Sequence, residues 1–402
     1  MKNLAIFTIC SINYLPKASI FLRSSQSHHP KAQHFILIVD RKTDLRLEDD
    51  IQVIWAENLP IENFYQKAFC FDIIELNTNL KPRAMQWLLE TFERVIYCDP
   101  DMCVYAPMDD IWRELGDGAV LLTPHYYTPI QDAQKPNDWE LLKFGVFNLG
   151  FIAVQRHSST EPFLAWWSER CLEHGYFEPQ TGLAVDQKWI SLAPGFFKGI
   201  IVSRNLGLNV AFWNLHERVI SHVNGQWWIN DTVQLLLMHF SSFDANNADV
   251  VAQKQTRVPN GSRPDFEAIA VGYRQQLNLS RERFNGSTVQ YSFAAFADGQ
   301  PISRTLRRVY AGLKFSDSDP FAVNSDAYRL AARHRLWGRR GVQPERHNFR
   351  DLERHSNTLR FALWGLKWVQ RILGAERYFD LMRFLVHISS IRVQASAYKD
   401  KS

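Results

Sequence analysis

Short apolar runs alternate with amphipathic stretches through the first 240 residues of this 402-residue chain. The runs read LAIFTIC, HFILIVD, IQVIWAENL, RVIYCD and AVLLTPH, and they are rich in Ile, Val and Phe. The stretches between them include residues 14–27 and 77–93, which have the apolar periodicity of helices. This alternation predicts an α/β fold, in which a mostly parallel sheet is covered by helices on both faces. Such sheets bind ligands outside the carboxyl ends of their strands.

Composition changes past the last of these runs. Residues 1–244 hold 20 Lys and Arg against 28 Asp and Glu, whereas residues 245–402 hold 26 against 14. Residues 245–265 are rich in polar and turn-forming residues and indicate a linker, and the segments 265–285 and 358–393 have helical periodicity. We therefore predict an α/β domain over residues 1–244 and a basic, mainly helical C-terminal region over residues 245–402.

The cysteines and the N-terminus indicate the cellular compartment. The five cysteines form no C-x-x-C pair, which favours a reducing compartment and argues against a thiolate metal site. The opening MKNLAIFTIC reads as a first strand rather than a secretion signal, because no small-residue cleavage site follows it. No apolar stretch reaches the length of a membrane span. We expect a cytoplasmic protein, and peripheral binding to the inner face of the membrane stays open.

Two aspartates stand where one apolar strand ends, in VIYCDPDMCVY at residues 95–105. Residues two apart in extended chain point to the same side, so Asp99 and Asp101 can approach one ion together, while Pro100 stiffens the turn. Mg²⁺ and Mn²⁺ favour carboxylate and phosphate oxygens, so the pair suggests a metal that holds a diphosphate. A simple turn after a strand would also explain D-P-D.

Further motifs accompany the two aspartates in order along the chain. They are Asn13–Tyr14, Lys81 and Arg83, Val104 with Asp109–Asp110–Ile111, FNLGF at 147–151, VDQKW at 185–189 and MHFSSFD at 238–244. With this ordered set, the sequence resembles nucleotide-sugar glycosyltransferases of the GT-A fold, and within them glycosyltransferase family 8 and its relatives. The resemblance covers residues 4–244.

The resemblance implies a metal-dependent, hexosyltransferase-like enzyme. It would move a sugar from a nucleotide-diphosphate donor, with a UDP-sugar expected, to an acceptor hydroxyl, with retention of anomeric configuration. Asp99, Asp101 and His239 would bind Mn²⁺ or Mg²⁺, which stabilises the departing diphosphate as a Lewis acid. Lys81 or Arg83 would contact the same phosphates, and the choice between them stays open because spacing alone does not decide it.

Other site residues are implied in the same way. The expected donor-binding residues are Thr8, Asn13, Tyr14, Lys81, Arg83, Asn148, Gly150 and Lys254. Tyr14 would stack on the base, with Thr8 and Asn13 near base and ribose. Asp186 and Gln187 are the expected catalytic pair, which would hydrogen-bond the donor sugar and face its anomeric carbon. Front-face attack is expected, and a role of Asp186 as nucleophile or base stays open.

The sequence departs from the family pattern at two places. Leu149 stands where family members commonly carry Ser, and residues 241–244 lack the Gly and Lys that commonly follow the histidine. Lys254 is therefore only a candidate for the lysine that closes over the phosphates. The stretch NVAFWNLHER at 209–218 is rich in groups suited to ligands, of which the acceptor-side candidates are Trp213, Asn214 and His216.

Two other function classes explain part of the pattern. DPDMCV superficially matches the nucleophile motif of haloacid dehalogenase-type phosphatases, but that class places its motif near the N-terminal strand. A non-catalytic sugar- or nucleotide-binding protein on a degenerate transferase fold is the main alternative. Intact Asp99, Asp101 and His239 count against degeneracy, whereas Leu149 counts for it.

The C-terminal segment 358–393 combines tryptophans and basic residues among leucines, namely Trp364, Trp368, Arg360, Lys367, Arg371 and Arg377. A helix of this kind can lie on an anionic membrane or pack against its own domain, and the sequence leaves both open. The expected partners are a nucleotide-sugar donor, a glycan or lipid-linked acceptor of cell-surface glycan synthesis, and an anionic membrane. No nucleic-acid partner is expected.

Overall fold

The computed structural model describes residues 2–45, 47, 50–245, 251–252, 255–284, 289–339 and 356–399. Its strands are β1 (Lys2–Cys10), β2 (Gln33–Ile38), β3 (Ile51–Trp55), β4 (Phe92–Cys98), β5 (Met102–Val104), β6 (Val120–Pro124), β7 (Phe147–Gln155), β8 (Phe177–Glu178), β9 (Leu183–Ala184), β10 (Ile200–Val202), β11 (Ile220–Val223), β12 (Gln226–Ile229), β13 (Val233–Gln234) and β14 (Leu237–His239). Its helices are α1 (Leu15–His28), α2 (Phe64–Cys70), α3 (Ile73–Asn79), α4 (Lys81–Leu89), α5 (Asp110–Leu115), α6 (Asp138–Phe144), α7 (Thr160–His174), α8 (Val185–Ile190), α9 (Ala193–Phe196), α10 (Pro264–Arg283), α11 (Arg304–Leu313), α12 (Asp326–His334), α13 (Ser356–Leu373), α14 (Ala375–Ile388) and α15 (Ile391–Gln394). The chain divides into two compact units, residues 1–293 and 294–402.

A seven-stranded sheet forms the centre of the first unit, in the order β10-β6-β7-β4-β1-β2-β3. Neighbouring strands are parallel except beside β7, which runs antiparallel to both β4 and β6. The core of β1, β2, β4, β6 and β7 is buried almost throughout, as expected for strands covered on both faces. The predicted α/β fold with a mostly parallel sheet is confirmed, and all five apolar runs lie in this sheet.

The direction of β7 positions the site. Because β7 is antiparallel to β4, its first residues lie beside the carboxyl end of β4. Cys98 pairs with Phe151 in register, and the backbone N–H of Asp99 donates to the carbonyl of Gly150 at 2.7 Å. The D-P-D and F-N-L-G motifs therefore meet at one edge of the sheet.

A small ladder adds the histidine to this edge. Strand β14 pairs antiparallel with β5, and the register places His239 opposite Met102. The N–H of Phe240 donates to the carbonyl of Asp101 at 2.9 Å. His239 is consequently held next to the turn that carries the two aspartates.

Helix α10 belongs to the first unit, so this unit extends past the boundary predicted at residue 244. The ring of Tyr273 stacks on Phe240, with centroids 3.8 Å apart and planes at 8°. Ser280 Oγ lies 2.6 Å from Ser19 Oγ of α1. These contacts bury one face of α10 directly behind the residue that follows His239.

The described part of the second unit is mainly helical. Gly374 separates α13 from α14 with φ of 76°, a conformation that glycine adopts freely, so the predicted segment 358–393 begins as two helices rather than one. We call residues 356–388 the α13–α14 segment. Many of its large apolar side chains are exposed: Phe361, Leu363, Trp364, Trp368, Ile372, Phe379, Phe384, Leu385 and Val386. Within the described residues, no helix is both long enough and apolar enough to cross a bilayer.

The packing of α10 generates a stability prediction. Because Tyr273 is 1% exposed and stacked on Phe240, Tyr273→Ala is expected to lower the free energy of unfolding by about 3 kcal/mol or more, measured by chemical denaturation. Gln275→Ala, on the exposed face of the same helix, is the matched control and should cost well under 1 kcal/mol. Equal stability of the two variants would mean that α10 does not contribute to this core.

Candidate metal centre

Asp99, Asp101 and His239 form a cluster at the carboxyl end of β4. Each offers one ligand atom, and these three atoms all lie within 4.8 Å of one another. His239 Nε2 is 3.1 Å from Asp101 Oδ1 and 3.7 Å from Asp99 Oδ2. The three side chains predicted as metal ligands are therefore close together in space.

The spacing of these atoms fits one small divalent ion. Two ligands at right angles around an octahedral ion are about 3 Å apart, and opposite ligands are about 4.2 Å apart, when each bond is near 2.1 Å. The distances of 3.1 and 3.7 Å from His239 Nε2 lie between these limits. Carboxylate and imidazole ligands suit Mn²⁺ as well as Mg²⁺. Burial raises the pKa of Asp101, but the neighbouring His239 and Lys17 outweigh burial and lower it, so the carboxylate stays ionised.

Asn209 orients the imidazole of His239. Its Oδ1 lies 3.2 Å from His239 Nδ1. Its Nδ2 donates to Thr123 Oγ1 at 2.8 Å and to Asn148 Oδ1 at 3.0 Å, which fixes the amide so that its oxygen faces the ring. Nδ1 therefore donates to Asn209, and Nε2 is the nitrogen that faces the two carboxylates and can bind a metal with them.

Gly150 provides the space that His239 occupies. A Cβ at this position would lie 2.6 Å from His239 Cε1, 2.7 Å from Met102 Cε and 2.8 Å from Asn148 Oδ1. Such contacts are far below van der Waals distance, so any side chain here would push the imidazole away. The predicted contact of Gly150 and Asn148 with the donor stays a prediction.

Lys81 and Asp186 form a buried ion pair beside this cluster. Lys81 Nζ is 2.6 Å from Asp186 Oδ2 and donates to the carbonyl of Leu149 at 2.8 Å; the two side chains are 2% and 3% exposed. Burial raises the pKa of Asp186, and the charge of Lys81 opposes that effect. Val185, just before Asp186, has φ of 48°, which is a strained conformation for a β-branched residue.

Tyr97 connects the ion pair to the cluster. Lys81 Nζ lies 4.4 Å from the centroid of its ring, and its hydroxyl donates to Asp99 Oδ1 at 2.6 Å. Arg83 lies elsewhere, since its guanidinium donates to the carbonyl of Pro60 and to Gln86. Of the two cations left open by the sequence, the structure therefore brings Lys81 to the site. Binding of a phosphate by Lys81 or Arg83 stays a prediction.

Gln187 is held between the end of α6 and the start of β7. Its Nε2 donates to the carbonyl of Phe144 at 2.9 Å, and its Oε1 accepts from the N–H of Leu149 at 3.3 Å. The carbonyl of Leu149 in turn accepts a hydrogen bond from the ammonium of Lys81. The backbone of β7 thus contacts Gln187 directly and Asp186 through Lys81.

The predicted base-binding residues lie at the carboxyl end of β1. Tyr14, 37% exposed, precedes α1, and its hydroxyl accepts from Lys17 Nζ at 2.8 Å. Thr8 is buried, and its Oγ1 has no hydrogen-bond partner among the described residues. Asn13 Oδ1 accepts from Ser11 Oγ at 2.5 Å. Tyr14 thus exposes part of its ring to solvent, whereas the side chain of Thr8 is buried.

The remaining candidates differ in position. Trp213 packs edge-on against His239, with ring centroids 5.1 Å apart. Asn214 is buried, and its side-chain amide donates to the carbonyls of His125 and Asn209. His216 packs against Tyr126. Lys254 lies outside the described residues. Trp213 alone of the three acceptor-side candidates contacts a predicted metal ligand.

Sequence reasoning missed Asn209, Tyr97 and Lys17. A signal for Asn209 exists, since an amide between the buried residues Leu208 and Val210 needs internal partners. Tyr97 read only as part of a strand, and Lys17 only as part of an amphipathic helix.

Comparison with known proteins gives the following similarities. No protein-family model matches the chain. The chain is 26% identical over 280 residues to the uncharacterized protein YfnF of Bacillus subtilis (strain 168), covering 68% of this chain and 91% of YfnF. It is 22% identical over 308 residues to the uncharacterized protein YfnD of the same organism, covering 74% and 95%. Among solved structures it is similar to the galactosyltransferase LgtC in complex with donor and acceptor sugar analogs, with 15% identity, a TM-score of 0.44, and coverage of 70% of this chain and 99% of LgtC.

The buried ion pair yields a prediction on stability and pH. Lys81→Met leaves the Asp186 carboxylate buried without its cation, so we expect a loss of about 3–5 kcal/mol in the free energy of unfolding at pH 7. Burial then acts on Asp186 without the opposing charge of Lys81 and raises its pKa further above the unfolded value of about 3.9. A group whose folded pKa is raised stabilises the fold where it is protonated, so the variant should regain stability as pH falls from 7 toward 5.

Lys67→Met is the matched control, because Lys67 pairs with Glu173 at the surface, where such a pair contributes at most about 1 kcal/mol. Denaturation curves of both variants at pH 7, 6 and 5 make the measurement. A Lys81→Met loss that does not shrink with falling pH would contradict the role of Asp186 as the titrating group.

Proposed function

We propose that this protein is a metal-dependent GT-A glycosyltransferase that moves a sugar from a nucleotide-diphosphate donor to an acceptor hydroxyl. The observation that carries the proposal is the trio Asp99, Asp101 and His239, whose ligand atoms converge at the carboxyl end of the sheet, next to the buried Lys81–Asp186 pair. A metal ligand set next to a charged pair in such a position suits a substrate with a diphosphate and a polar sugar.

In this proposal, different residues bind the nucleotide end and the sugar end of the donor. When bound, a divalent metal at the trio supplies Lewis-acid stabilisation of the charge that develops on the departing diphosphate. Asp99 and Asp101 provide two carboxylates to hold it, and His239 provides Nε2, oriented by Asn209. Tyr14 offers an exposed ring to the base, for which we propose uracil.

Asp186 and Lys81 act on the sugar end in this proposal. Lys81 holds the carboxylate of Asp186 in one orientation, and in this proposal that carboxylate, 3% exposed at the bottom of the site, accepts a hydrogen bond from a sugar hydroxyl. An ion-paired carboxylate is a weak nucleophile, which favours front-face attack with retention over a covalent intermediate on Asp186. Gln187 is fixed by Phe144 and Leu149, so it too is oriented before substrate arrives.

The α13–α14 segment supports a second proposal, that the protein binds an anionic membrane and takes a glycan or lipid-linked acceptor there. Its exposed aromatic and aliphatic side chains lie among five cations, Arg360, Lys367, Arg371, Arg377 and Arg383, against two acids, Glu376 and Asp380. A short helix with this composition binds in the plane of an anionic surface through apolar burial and charge attraction.

The catalytic proposal predicts metal-dependent turnover of one donor. We expect slow hydrolysis of one of a panel of UDP-, GDP- and dTDP-sugars in the presence of Mn²⁺ and none with EDTA. Asp101→Asn should lower kcat/KM for that hydrolysis at least about 100-fold, because it removes an ionised ligand of the metal. Asp117→Asn, an exposed aspartate before β6 at the opposite edge of the sheet, should retain wild-type activity.

The outcomes separate the catalytic and non-catalytic functions. Binding of a nucleotide-sugar without turnover in any metal would favour a non-catalytic binding protein. Failure to bind any nucleotide-sugar would remove the donor assignment altogether.

The membrane proposal predicts flotation with anionic vesicles. We expect the full chain to float with vesicles that contain phosphatidylglycerol, less at high salt, and not with vesicles of phosphatidylcholine alone. Replacing Trp364 and Trp368 together by Ser should reduce flotation, whereas Trp139→Ser, at a 70% exposed tryptophan of the first unit, should not. Equal flotation of both variants would rule out the α13–α14 segment as the membrane contact.

A further inference from the structure

The proposed metal centre has a deficit of positive charge. Two carboxylates, Asp99 and Asp101, neutralise one divalent ion, so the two charges of a donor diphosphate need further cations. Lys81 is compensated by Asp186, and Arg83 is bound to the carbonyl of Pro60. Among the described residues, neither cation proposed from the sequence is therefore left to balance the charge of a donor diphosphate.

Lys17 is placed to supply that charge. Its Nζ is 3.9 Å from Asp101 Oδ2, and it is the one lysine or arginine of the described residues within 4.0 Å of either carboxylate of the cluster. Its side chain is 17% exposed, whereas that of Lys81 is 2% exposed, so Lys17 is the more accessible of the two ammonium groups.

The ammonium group of Lys17 has N–H groups that are not used in hydrogen bonds. It makes one hydrogen bond in the described structure, to the hydroxyl of Tyr14 at 2.8 Å, and it lies 4.6 Å from the centroid of that ring. A distance of 3.9 Å to Asp101 is a charge contact but not a hydrogen bond. An ammonium group carries three N–H donors, so two of them are available.

The position of Lys17 lies between two halves of the proposed donor site. On one side stands Tyr14, the proposed platform for the base, and on the other stands Asp101, whose Oδ1 faces His239 Nε2 at 3.1 Å. In a nucleoside diphosphate, the two phosphates follow the base and ribose, and in this proposal they extend from the nucleoside to the metal. An ammonium group at this point therefore faces phosphate oxygens.

We propose that Lys17 binds the diphosphate of the donor on the nucleotide side of the metal centre. This inference rests on the proposed function, because it takes the ligand to be a nucleoside diphosphate bound with a divalent metal. Lys17 comes from the first turn of α1, directly after the loop that carries Tyr14, so one short segment contacts both base and phosphate. Charge-assisted hydrogen bonds from lysine are a strong mode of phosphate binding.

The test compares ligands that differ only in phosphate. Affinities of UDP, UMP and uridine are measured by calorimetry with saturating Mn²⁺ for wild type, Lys17→Met, Lys17→Arg and Lys31→Met. We expect Lys17→Met to weaken UDP binding about ten- to hundredfold and to leave uridine binding unchanged. Lys17→Arg should restore part of the loss, and Lys31→Met, at an exposed lysine beyond the other end of α1, should match wild type.

A second measurement separates phosphate binding from mere support of Asp101. Mn²⁺ affinity without nucleotide is measured by electron paramagnetic resonance for the same variants. Under the proposal, Lys17→Met does not weaken Mn²⁺ binding, because a cation next to the ligand set has been removed. A loss of Mn²⁺ affinity as large as the loss of UDP affinity would overturn the proposal.

Two further results are decisive. Unchanged UDP binding in Lys17→Met, with wild type binding well, would refute the role of Lys17 and leave the proposed function intact. Failure of wild type to bind UDP, GDP or dTDP with Mn²⁺ would refute both, and the two failures are therefore distinguishable.

Discussion

The arrangement of this site depends on one buried ion pair, Lys81–Asp186. Transfer of two charges out of water costs several kcal/mol per ion, and that cost is offset only if the two groups stay in contact. The pair joins α4 to α8, and the further hydrogen bond of Lys81 to Leu149 ties both helices to β7. Strained backbone at Val185 is tolerated at the same place, because the surrounding contacts leave Asp186 no other position.

The reversed direction of β7 has an equally wide effect. A parallel strand here would carry Asn148 and Gly150 to the far edge of the sheet, away from Asp99. As an antiparallel strand, β7 delivers its first residues to the edge where β4 ends, and its backbone then contacts Asp99, Lys81 and Gln187. One strand direction thus brings together side chains from distant parts of the chain.

The sequence predicted those parts of the fold whose causes are local. The strands were identifiable because strands covered on both faces are apolar throughout, and the D-P-D turn was identifiable because two carboxylates at a spacing of two are conspicuous. His239 came from an ordered resemblance rather than from its surroundings. The break at Gly374 was not predicted, since a glycine inside a periodic segment is also compatible with a continuous helix.

Contacts between residues far apart in sequence could not be predicted from local sequence patterns. Lys81 and Asp186 are 105 positions apart, and Arg83 was as good a candidate as Lys81 until the pairing was known. Asn209 contacts His239 from 30 positions away through an amide that only a folded chain orients. The same holds for α10, whose burial against Phe240 is a tertiary contact that the polar linker before it conceals.

The absence of a side chain at Gly150 links the proposed metal centre to the central sheet. On the β7 side the imidazole of His239 has little room to move, because even a Cβ at Gly150 would lie 2.6 Å from its Cε1. Together with Asn209, the backbone hydrogen bonds that hold β7 to β4 therefore limit where the ring can lie. The geometry of the proposed metal centre thus depends on the central strands, and anything that loosens them would act on metal binding before the fold is lost.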